Sequence, residues 1–266
     1  MKIASWNVNS INARLPRILE WFDAATPDVC VLQEIKCLDE KFPVGAFEDR
    51  GYNCELHGQK TYNGVALLSK FPVEDVIRGL PGNDDDDQSR YIEAMVFPDD
   101  AEPVRVGGLY LPNGNPAPGP KYDYKLGWMA HLKARAEALL KTEEAFILTG
   151  DYNVIPQAED VHNPAAWADD ALFLPATRAA FREIENLGLT DALRHLYPYD
   201  VFYTFWDYQR GAWQKDHGIR IDHVMLSPQA ADRLTSGGVD RTTRDPGFGS
   251  QEAKPSDHVP VWITLD

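Results

Sequence analysis

Three features are scarce in this 266-residue chain: cysteine, long apolar runs and net positive charge. The three cysteines, Cys30, Cys37 and Cys54, have none of the spacings of a zinc site. Free thiols, and an amino terminus that leads directly into a strand pattern instead of a signal peptide, predict a reducing, cytoplasmic location. No apolar run approaches the roughly 20 residues of a membrane-spanning helix, so we expect no membrane partner.

The formal net charge of −15 argues against general electrostatic attraction to nucleic acid. It does not exclude a nuclease, because a metal site needs clustered carboxylates and the bound cations reverse the local sign of charge. A nuclease with this composition would be expected to carry a local basic strip around its site. The 44% hydrophobic and 25% charged residues place the chain among ordinary globular proteins.

Strand and helix patterns alternate loosely along the chain, and several strands follow one another without room for a helix between them. No linker or repeat marks a boundary, so we expect one domain, residues 1–266, of the α/β class, with two packed mixed sheets and helices outside. The apolar patterns predict strands over residues 2–9, 28–32, 64–69, 92–97, 104–111, 145–148, 219–226 and 259–263, and helices over residues 10–24, 122–141 and 176–187.

The most informative stretch is the apolar run at residues 145–148, which is followed by Gly150, Asp151 and Asn153. We expect the strand to stop at Gly150, where the backbone can turn. In an extended segment, Asp151 and Asn153 would point to the same side and aim at an attacking water or a phosphate oxygen. Taken alone, the motif fits an Asx turn after a strand equally well.

Other predicted strands end in the same way. Because strand ends commonly converge on one edge of a sheet, these side chains are candidates for a common site. Several carboxylates with no cysteine and one histidine favour Mg²⁺, with Mn²⁺ as a substitute, over Zn²⁺. The polar residues at strand ends are Asn7, Glu34, Tyr110, Asp151, Asn153, Asp222, Asp257 and His258.

Five short blocks occur in order along nearly the whole chain: SWNVN at residues 5–9, LQEIK at 32–36, GDYN at 150–153, RID at 220–222 and SDH at 256–258. Together they resemble the endonuclease/exonuclease/phosphatase superfamily and, within it, the exonuclease III branch of abasic-site DNA endonucleases. YTFWDY at residues 203–208 and PNG at 112–114 also fit that branch. The resemblance implies a four-layer α/β sandwich.

The resemblance also implies roles for the strand-end residues. Glu34 would be the principal metal ligand, with Asn7 and Asp257 close by. Asp151 would align and deprotonate the attacking water with the help of Asn153, and both would lie at the metal. His258, oriented by Asp222, would hydrogen-bond the scissile phosphate, which Tyr110 would also contact.

Some of these residues have a second interpretation. Tyr110 fits a core aromatic as well. Asn9 fits either a metal contact or support for Asn7 and the following helix. His223, inside a predicted strand, fits a packing residue better than a catalytic one.

By the same resemblance, Phe205, Ile219 and Ile221 would line a small apolar pocket for a flipped-out abasic sugar. Asn113 belongs to the PNG block and is a further candidate for substrate binding. Three basic residues are candidate phosphate contacts, although each fits a solubilising surface charge nearly as well. They are Arg90, Lys121 and Lys125.

These features predict a monomeric, Mg²⁺-dependent DNA repair nuclease. It would cut duplex DNA on the 5′ side of an abasic site, leave a 3′-hydroxyl, remove 3′ blocking groups and digest 3′ ends. The alternative is a metal-dependent phosphatase of a small or lipid phosphate. A third interpretation, a catalytically silent DNA-binding module, conflicts with the complete set of catalytic residue types.

Overall fold

The computed structural model describes residues 1–266 as two six-stranded β-sheets that face each other, with helices on both outer sides. The strands are β1 Lys2–Asn7, β2 Val29–Gln33, β3 Asn53–His57, β4 Val65–Ser69, β5 Val73–Arg78, β6 Tyr91–Val96, β7 Val104–Tyr110, β8 Phe146–Asp151, β9 Thr190–Asp191, β10 Asp222–Leu226, β11 Leu234–Val239 and β12 Val261–Leu265. The helices are α1 Ile11–Ala25, α2 Val44–Glu48, α3 Pro120–Leu140, α4 Pro175–Glu185, α5 Ala192–Leu196 and α6 Pro228–Ala231.

Both sheets are mixed, as the sequence predicted. The first has the order β11-β12-β1-β2-β4-β3, and the second has the order β5-β6-β7-β8-β10-β9. In each sheet two central strands are parallel, β1 with β2 and β7 with β8, and the remaining neighbours are antiparallel.

Three apolar clusters define the layers. Side chains such as Val31 and Ile147 fill the space between the two sheets. Helix α1 packs Phe22 on the outer face of the first sheet, and α4 packs Phe181 on the outer face of the second. Each fully buried side chain of this kind contributes roughly 1.5–3 kcal/mol. The four-layer α/β sandwich is therefore confirmed.

Helix α1 begins as the sequence predicted. The Ser10 hydroxyl accepts a hydrogen bond from the backbone N–H of Ala13, which caps the first turn. The helix ends at Ala25, where Thr26 takes a left-handed conformation with φ +45°. No helix in the structure combines the length and the apolar character needed to cross a bilayer.

The four strands that the sequence patterns missed are the four sheet edges: β3, β5, β9 and β11. An edge strand packs against a neighbour on one side only and carries polar side chains, so its apolar pattern is weak. The burial pattern of β5 shows this, because none of its six residues is fully buried.

Two predicted strand boundaries were wrong by three residues, the end of the strand at 145–148 and the start of the strand at 219–226. Strand β8 continues through Gly150 to Asp151 instead of turning at the glycine. A Cβ atom at position 150 would lie 1.9 Å from the carbonyl oxygen of Leu109, so this glycine permits close approach of the neighbouring strand. The strand predicted from residue 219 begins at Asp222, and Ile219 makes only isolated bridges.

Candidate active site

The sheet registers bring the predicted strand-end residues to one edge of the sandwich. Asn7 lies opposite Gln33, the residue before Glu34, because β1 and β2 are parallel. Tyr110 lies opposite Asp151 for the same reason in the second sheet. Strand β10 runs the other way, so its first residue, Asp222, also lies opposite Asp151.

Asp151, Asp222 and His258 form the centre of this edge. His258 Nδ1 donates a hydrogen bond to Asp222 Oδ2 at 2.9 Å, and His258 Nε2 lies 3.7 Å from Asp151 Oδ2. One ligand atom from each residue lies within 4.8 Å of the others, and all three side chains are buried. The carboxylate–imidazole pair predicted from the sequence is present in the structure.

The pKa values of Asp151 and His258 are shifted in ways that suit acid–base chemistry. Burial lowers the pKa of His258, but the negative charges of Asp222 and Asp151 outweigh it and raise this pKa to about 10. Burial raises the pKa of Asp151 to about 7, against the opposing charge of His258 and with a further contribution from Asp222. At neutral pH the imidazole is therefore protonated while the Asp151 carboxyl can exchange a proton.

Asn7 joins Asp151 to Glu34. Its side-chain nitrogen donates hydrogen bonds to Glu34 Oε1 and to Asp151 Oδ2, each at 2.9 Å. Its oxygen accepts the backbone N–H of Asn9 at 3.0 Å. In this arrangement Asn7 holds two carboxylates close together, and metal ligation through its oxygen, which stays a prediction, would require the amide to rotate.

Lys36 is the site residue to which the sequence interpretation gave no role. Its ammonium group lies 2.6 Å from Glu34 Oε2 and donates to Asn9 Oδ1 at 2.6 Å. Asn9 in turn donates through its side-chain nitrogen to Asp257 Oδ1 at 3.0 Å. Asn9 therefore supports neighbouring polar groups here, and Asp257 joins the site through it. The position of Lys36, two residues after Glu34, was the only sequence signal for this contact.

Burial would raise the pKa of Glu34, but the charge of Lys36 and hydrogen bonds from Asn7 and Lys36 outweigh it, so the pKa lies below its ordinary value. Glu34 is thus a carboxylate at neutral pH. Glu34 and Lys36 both have left-handed backbones, with φ of +53° and +54°. Non-glycine residues in this region indicate local strain that the surrounding hydrogen bonds must hold.

Of the two interpretations of the segment from Asp151 to Asn153, the structure shows the Asx turn and not the extended segment. Asn153 has φ +48° and is not extended, and its backbone N–H donates to Asp151 Oδ1 at 2.9 Å in an Asx turn. Its side-chain nitrogen donates to the carbonyl of Leu111, and its oxygen accepts from Asn113 Nδ2. Asn153 therefore orients Asp151 through its backbone, and its amide group is already hydrogen-bonded.

Tyr110 is half-buried beside Glu34 and Asp151. Burial and the negative charges of those two carboxylates raise the pKa of its hydroxyl well above the ordinary value, so the hydroxyl stays a hydrogen-bond donor. The guanidinium of Arg90 lies 4.8 Å from the centre of the Tyr110 ring and donates to the Tyr110 carbonyl at 3.2 Å. Arg90, predicted to contact phosphate, supports Tyr110 in this structure.

The prediction that Lys125 contacts phosphate was wrong, because its side chain is fully buried. Its ammonium group donates to the carbonyls of Asn113 and Asn153, at 3.1 and 2.5 Å, and so joins the loops that follow β7 and β8. Burial lowers the pKa of Lys125 to about 7. Lys121 and Asn113 are exposed, as their predicted roles require.

The predicted apolar pocket is only partly present. Phe205 is half-buried and its ring meets that of His258 edge-on, with the ring centres 4.9 Å apart. Ile219 and Ile221 are only 1% and 2% exposed and pack in a small cluster with neighbours such as Val161. These two isoleucines form an apolar floor beneath Phe205 and do not line an open pocket.

His223 is a buried packing residue, as expected. Its Nε2 donates to the carbonyl of Val154 at 2.9 Å, and its Nδ1 accepts from Arg220 at 3.0 Å. Arg220 is itself held by Asp160 and Asp191, each at 2.7 Å. Burial and the charge of Arg220 lower the pKa of His223 to about 4, so the imidazole is neutral in the folded protein.

This shift predicts acid-sensitive stability. Because unfolded His223 has its ordinary pKa of 6.5, the unfolded chain binds more protons between pH 6.5 and 4, and protonation favours unfolding there. The loss should reach on the order of 3 kcal/mol at pH 4. Urea unfolding from pH 7 to 4 should show a shallower pH slope for His223→Gln than for wild type. His195→Gln, at an exposed position, is the control, and equal slopes in all three proteins would contradict the prediction.

The residues at this edge fit a hard divalent cation. The site offers carboxylate oxygens from Glu34 and Asp151, and Asp222 Oδ1 is buried without a hydrogen-bond partner. Buried carboxylates repel one another unless a cation compensates them. Oxygen donors of this kind suit Mg²⁺ or Mn²⁺.

Comparisons with known proteins agree with the fold and the site. The model of the endonuclease/exonuclease/phosphatase family matches residues 4–258. The chain is 32% identical to exodeoxyribonuclease III of Haemophilus influenzae in an alignment of 270 residues that covers 98% of each chain.

Two solved structures are similar to this protein, and each alignment covers 100% of this chain and 99% of the other. One is the 3′ phosphatase NExo from Neisseria bound to a product DNA hairpin, with a TM-score of 0.93 and 39% identity. The other is an AP endonuclease from Archaeoglobus fulgidus, with a TM-score of 0.91 and 34% identity. The chain therefore belongs to the endonuclease/exonuclease/phosphatase family, a family of divalent-metal-dependent hydrolases.

Proposed function

We propose that this protein is a Mg²⁺-dependent DNA repair nuclease, with Mn²⁺ as a substitute, that hydrolyses the phosphodiester on the 5′ side of an abasic site. The observation that carries the proposal is the closeness of two pairs of side chains, Asp222–His258 and Asp151–Glu34. The Asp222–His258 pair lies 3.7 Å from Asp151, and Asn7 joins that carboxylate to Glu34. The Asp222–His258 pair supplies a protonated donor for the phosphate. The Asp151–Glu34 pair supplies carboxylates for a cation and for a water molecule.

The residues divide the reaction between them. Asp151 aligns the attacking water and accepts its proton, while Asn153 fixes the carboxylate through its backbone N–H. Protonated His258 and the Tyr110 hydroxyl donate hydrogen bonds to the oxygens of the phosphate as negative charge develops there. The water oxygen bonds to phosphorus as the P–O3′ bond breaks, and O3′ takes up a proton from solvent, so the upstream strand is left with a 3′-hydroxyl.

Glu34, with Asn7 and Asp257 close by, would hold the metal ion, and Asp151 and Asn153 lie at the same edge. When bound, a divalent cation neutralises the phosphate and stabilises the departing oxyanion. This role explains why an acidic edge can accept an anionic substrate in a protein of net charge −15.

Duplex DNA with abasic sites or blocked 3′ ends is the proposed substrate. Phe205 offers a partly exposed aromatic face beside His258 that suits a sugar without a base. One similar solved protein is named a 3′ phosphatase and another an AP endonuclease, which supports 3′-phosphatase activity beside incision. The similarity to an exodeoxyribonuclease III supports 3′→5′ exonuclease activity, and we propose 3′-phosphodiesterase activity with it. We further propose that exposed groups such as Lys121 and Asn113 contribute to DNA binding within a local basic strip.

The same proposal includes the domain organisation, the cellular location and the oligomeric state. Both sheets contribute side chains to the site, which supports one domain over residues 1–266. All three cysteines are free, which supports a reducing, cytoplasmic environment. The site is complete within one chain, which supports a monomer.

A labelled duplex with one tetrahydrofuran abasic analogue tests the proposal when it is incubated with Mg²⁺ or with EDTA. We expect incision 5′ to the analogue that disappears in EDTA, because the carboxylate cluster then lacks its cation. An undamaged duplex and a duplex with a 3′-phosphate, run beside it, would rank the exonuclease and phosphatase activities. Hydrolysis of inositol phosphates or p-nitrophenyl phosphate with no cleavage of any duplex would overturn the proposal in favour of a small-molecule phosphatase.

A further inference from the structure

The structure contains an internal cation among the groups proposed to bind metal. Lys36 Nζ lies 2.6 Å from Glu34 Oε2 and 2.6 Å from Asn9 Oδ1. The two side chains of this ion pair are only 25% and 17% exposed. The contact is therefore part of the site and not a solvent-exposed surface pair.

Hydrogen bonds connect this ammonium group to the rest of the site on both sides. On one side, Asn9 accepts from Lys36 and donates through Nδ2 to Asp257 Oδ1 at 3.0 Å. On the other side, Glu34 and Asp151 both accept hydrogen bonds from the Asn7 side chain, each at 2.9 Å. Lys36 is thus the positive member of a connected row of polar groups that contains three carboxylates.

The backbone around Lys36 is built to hold this position. Glu34, Lys36 and Asn9 all have left-handed φ angles, of +53°, +54° and +45°. Two backbone hydrogen bonds secure the turn, from Lys36 N–H to the Asn63 carbonyl at 3.0 Å and from Ser10 N–H to the Glu34 carbonyl at 2.7 Å. An arrangement that requires three non-glycine residues in this region is held by its surroundings and does not arise from local preference.

We propose that Lys36 is a positioning residue that acts as the counter-ion of Glu34 while no metal is bound, and that a divalent cation competes with its ammonium group for that carboxylate. Without a cation, several carboxylates at one buried edge would repel one another and Glu34 would lose its fixed orientation. The lysine keeps Glu34 and Asn9 in place between turnovers. The consequence is weaker metal binding than the carboxylates alone would give.

This inference rests on the metal site of the proposed function, and direct Mn²⁺ binding tests it without measuring activity. The loss of free Mn²⁺ signal in electron paramagnetic resonance gives the dissociation constant for each protein. Lys36→Met should bind Mn²⁺ at least about fivefold more tightly than wild type, because a neighbouring positive charge is removed. Lys36→Arg keeps the charge and should bind about as wild type does.

Thermal unfolding gives an independent readout. In EDTA, Lys36→Met should unfold at a lower temperature than wild type, and saturating Mn²⁺ should raise its midpoint by more than it raises that of wild type. Lys133→Met is the matched control, since Lys133 pairs with Glu183 at 3.1 Å on the surface and should change neither measurement. If Lys36→Met fails to fold, Lys36→Gln replaces it in both experiments.

The outcomes separate this inference from the proposed function. No Mn²⁺ binding by wild type, or full binding by Glu34→Gln, would remove the metal site itself. Binding by wild type with equal or weaker binding by Lys36→Met would overturn the counter-ion role alone. Tighter binding by Lys36→Arg as well would show that the charge of Lys36 is not the cause.

Discussion

Asp151→Asn is expected to lower the rate of DNA cleavage by about 10³-fold while leaving DNA binding nearly unchanged. Asp151 is 1% exposed, and each of its two oxygens accepts a hydrogen bond from an asparagine, Asn153 on one side and Asn7 on the other. An amide at this position keeps the size of the side chain but cannot accept a proton from water. It also places an NH₂ group against a hydrogen-bond donor.

Single-turnover cleavage of the abasic duplex measures the loss, and fluorescence anisotropy in EDTA measures binding of the same duplex. Asp23→Asn changes an exposed carboxylate on α1 that pairs with Arg50, and it should leave both quantities as in wild type. Unchanged turnover in Asp151→Asn would remove Asp151 from the mechanism. Loss of binding and cleavage together would instead assign it a structural role.

The wild-type pH profile tests the same role of Asp151 without a mutation. If Asp151 must be deprotonated and His258 protonated, kcat/KM rises through an acidic limb and falls through a basic one. Burial raises the pKa of Asp151 to about 7, and a bound cation favours the carboxylate, so the acidic limb should lie at or below pH 7. The raised pKa of His258 places the basic limb near pH 10. Asp151→Asn should lack the acidic limb.

The convergence of the site was largely predictable because most of the contributing residues follow a predicted strand. Glu34 and Asp151 follow continuous apolar runs, and parallel central strands bring the ends of such runs to one edge. To place Asp222 at the same edge, the direction of its strand must also be known. Asp222 was assigned by family resemblance, and the antiparallel register of β10 and β8 then placed it opposite Asp151.

The direction of individual side chains could not be read in the same way. Asn153 could either point with Asp151 in an extended segment or form an Asx turn, and the sequence does not show which asparagine takes the left-handed φ that the turn requires. Lys125 was expected on the surface because lysine is rarely buried. Its carbonyl partners belong to Asn113 and Asn153, 12 and 28 residues away, and only the folded chain brings them to the ammonium group.

Lys36 shows a different limit of the sequence. It lies inside the LQEIK block, yet a lysine two residues after Glu34, a proposed metal ligand, has no defined role until its distance from that carboxylate is known. Ile219 and Ile221 show the opposite case, since resemblance assigned them to a pocket and packing placed them beneath it. Both roles depend on distances of a few ångströms that spacing along the chain does not fix.

Asp222→Asn is expected to lower cleavage by about 10²- to 10⁴-fold at pH 8. Asp222 Oδ2 accepts the hydrogen bond from His258 Nδ1 at 2.9 Å, and its charge is the largest influence that raises the pKa of His258 to about 10. An asparagine removes that charge while burial, which lowers the pKa, stays the same. The pKa of His258 would therefore fall, so less of the imidazole would be protonated at pH 8 and it would donate less effectively to the phosphate.

The direction of the pH effect distinguishes this role from a general loss of structure. Because a lower pH restores the protonated imidazole, the ratio of wild-type to variant activity should shrink as the pH falls from 9 to 6. A constant ratio over that range would contradict the role of Asp222 in holding the proton on His258. Asp23→Asn again serves as the control, with a ratio near one at every pH.

Mn²⁺ binding distinguishes the role of Asp222 in orienting His258 from a second role that the geometry permits, ligation of a cation. Asp222 Oδ1 is buried without a hydrogen-bond partner, and one ligand atom each of Asp222, Asp151 and His258 lie within 4.8 Å. If Asp222 orients His258, Asp222→Asn should bind Mn²⁺ as wild type does and should change only the pH profile. If it ligates a cation, the variant should bind Mn²⁺ more weakly, and added Mn²⁺ should restore its activity at constant pH. We expect the first result, because the hydrogen bond to His258 Nδ1 holds Asp222 in place and the proposed carboxylate ligands Glu34 and Asp151 are joined by Asn7.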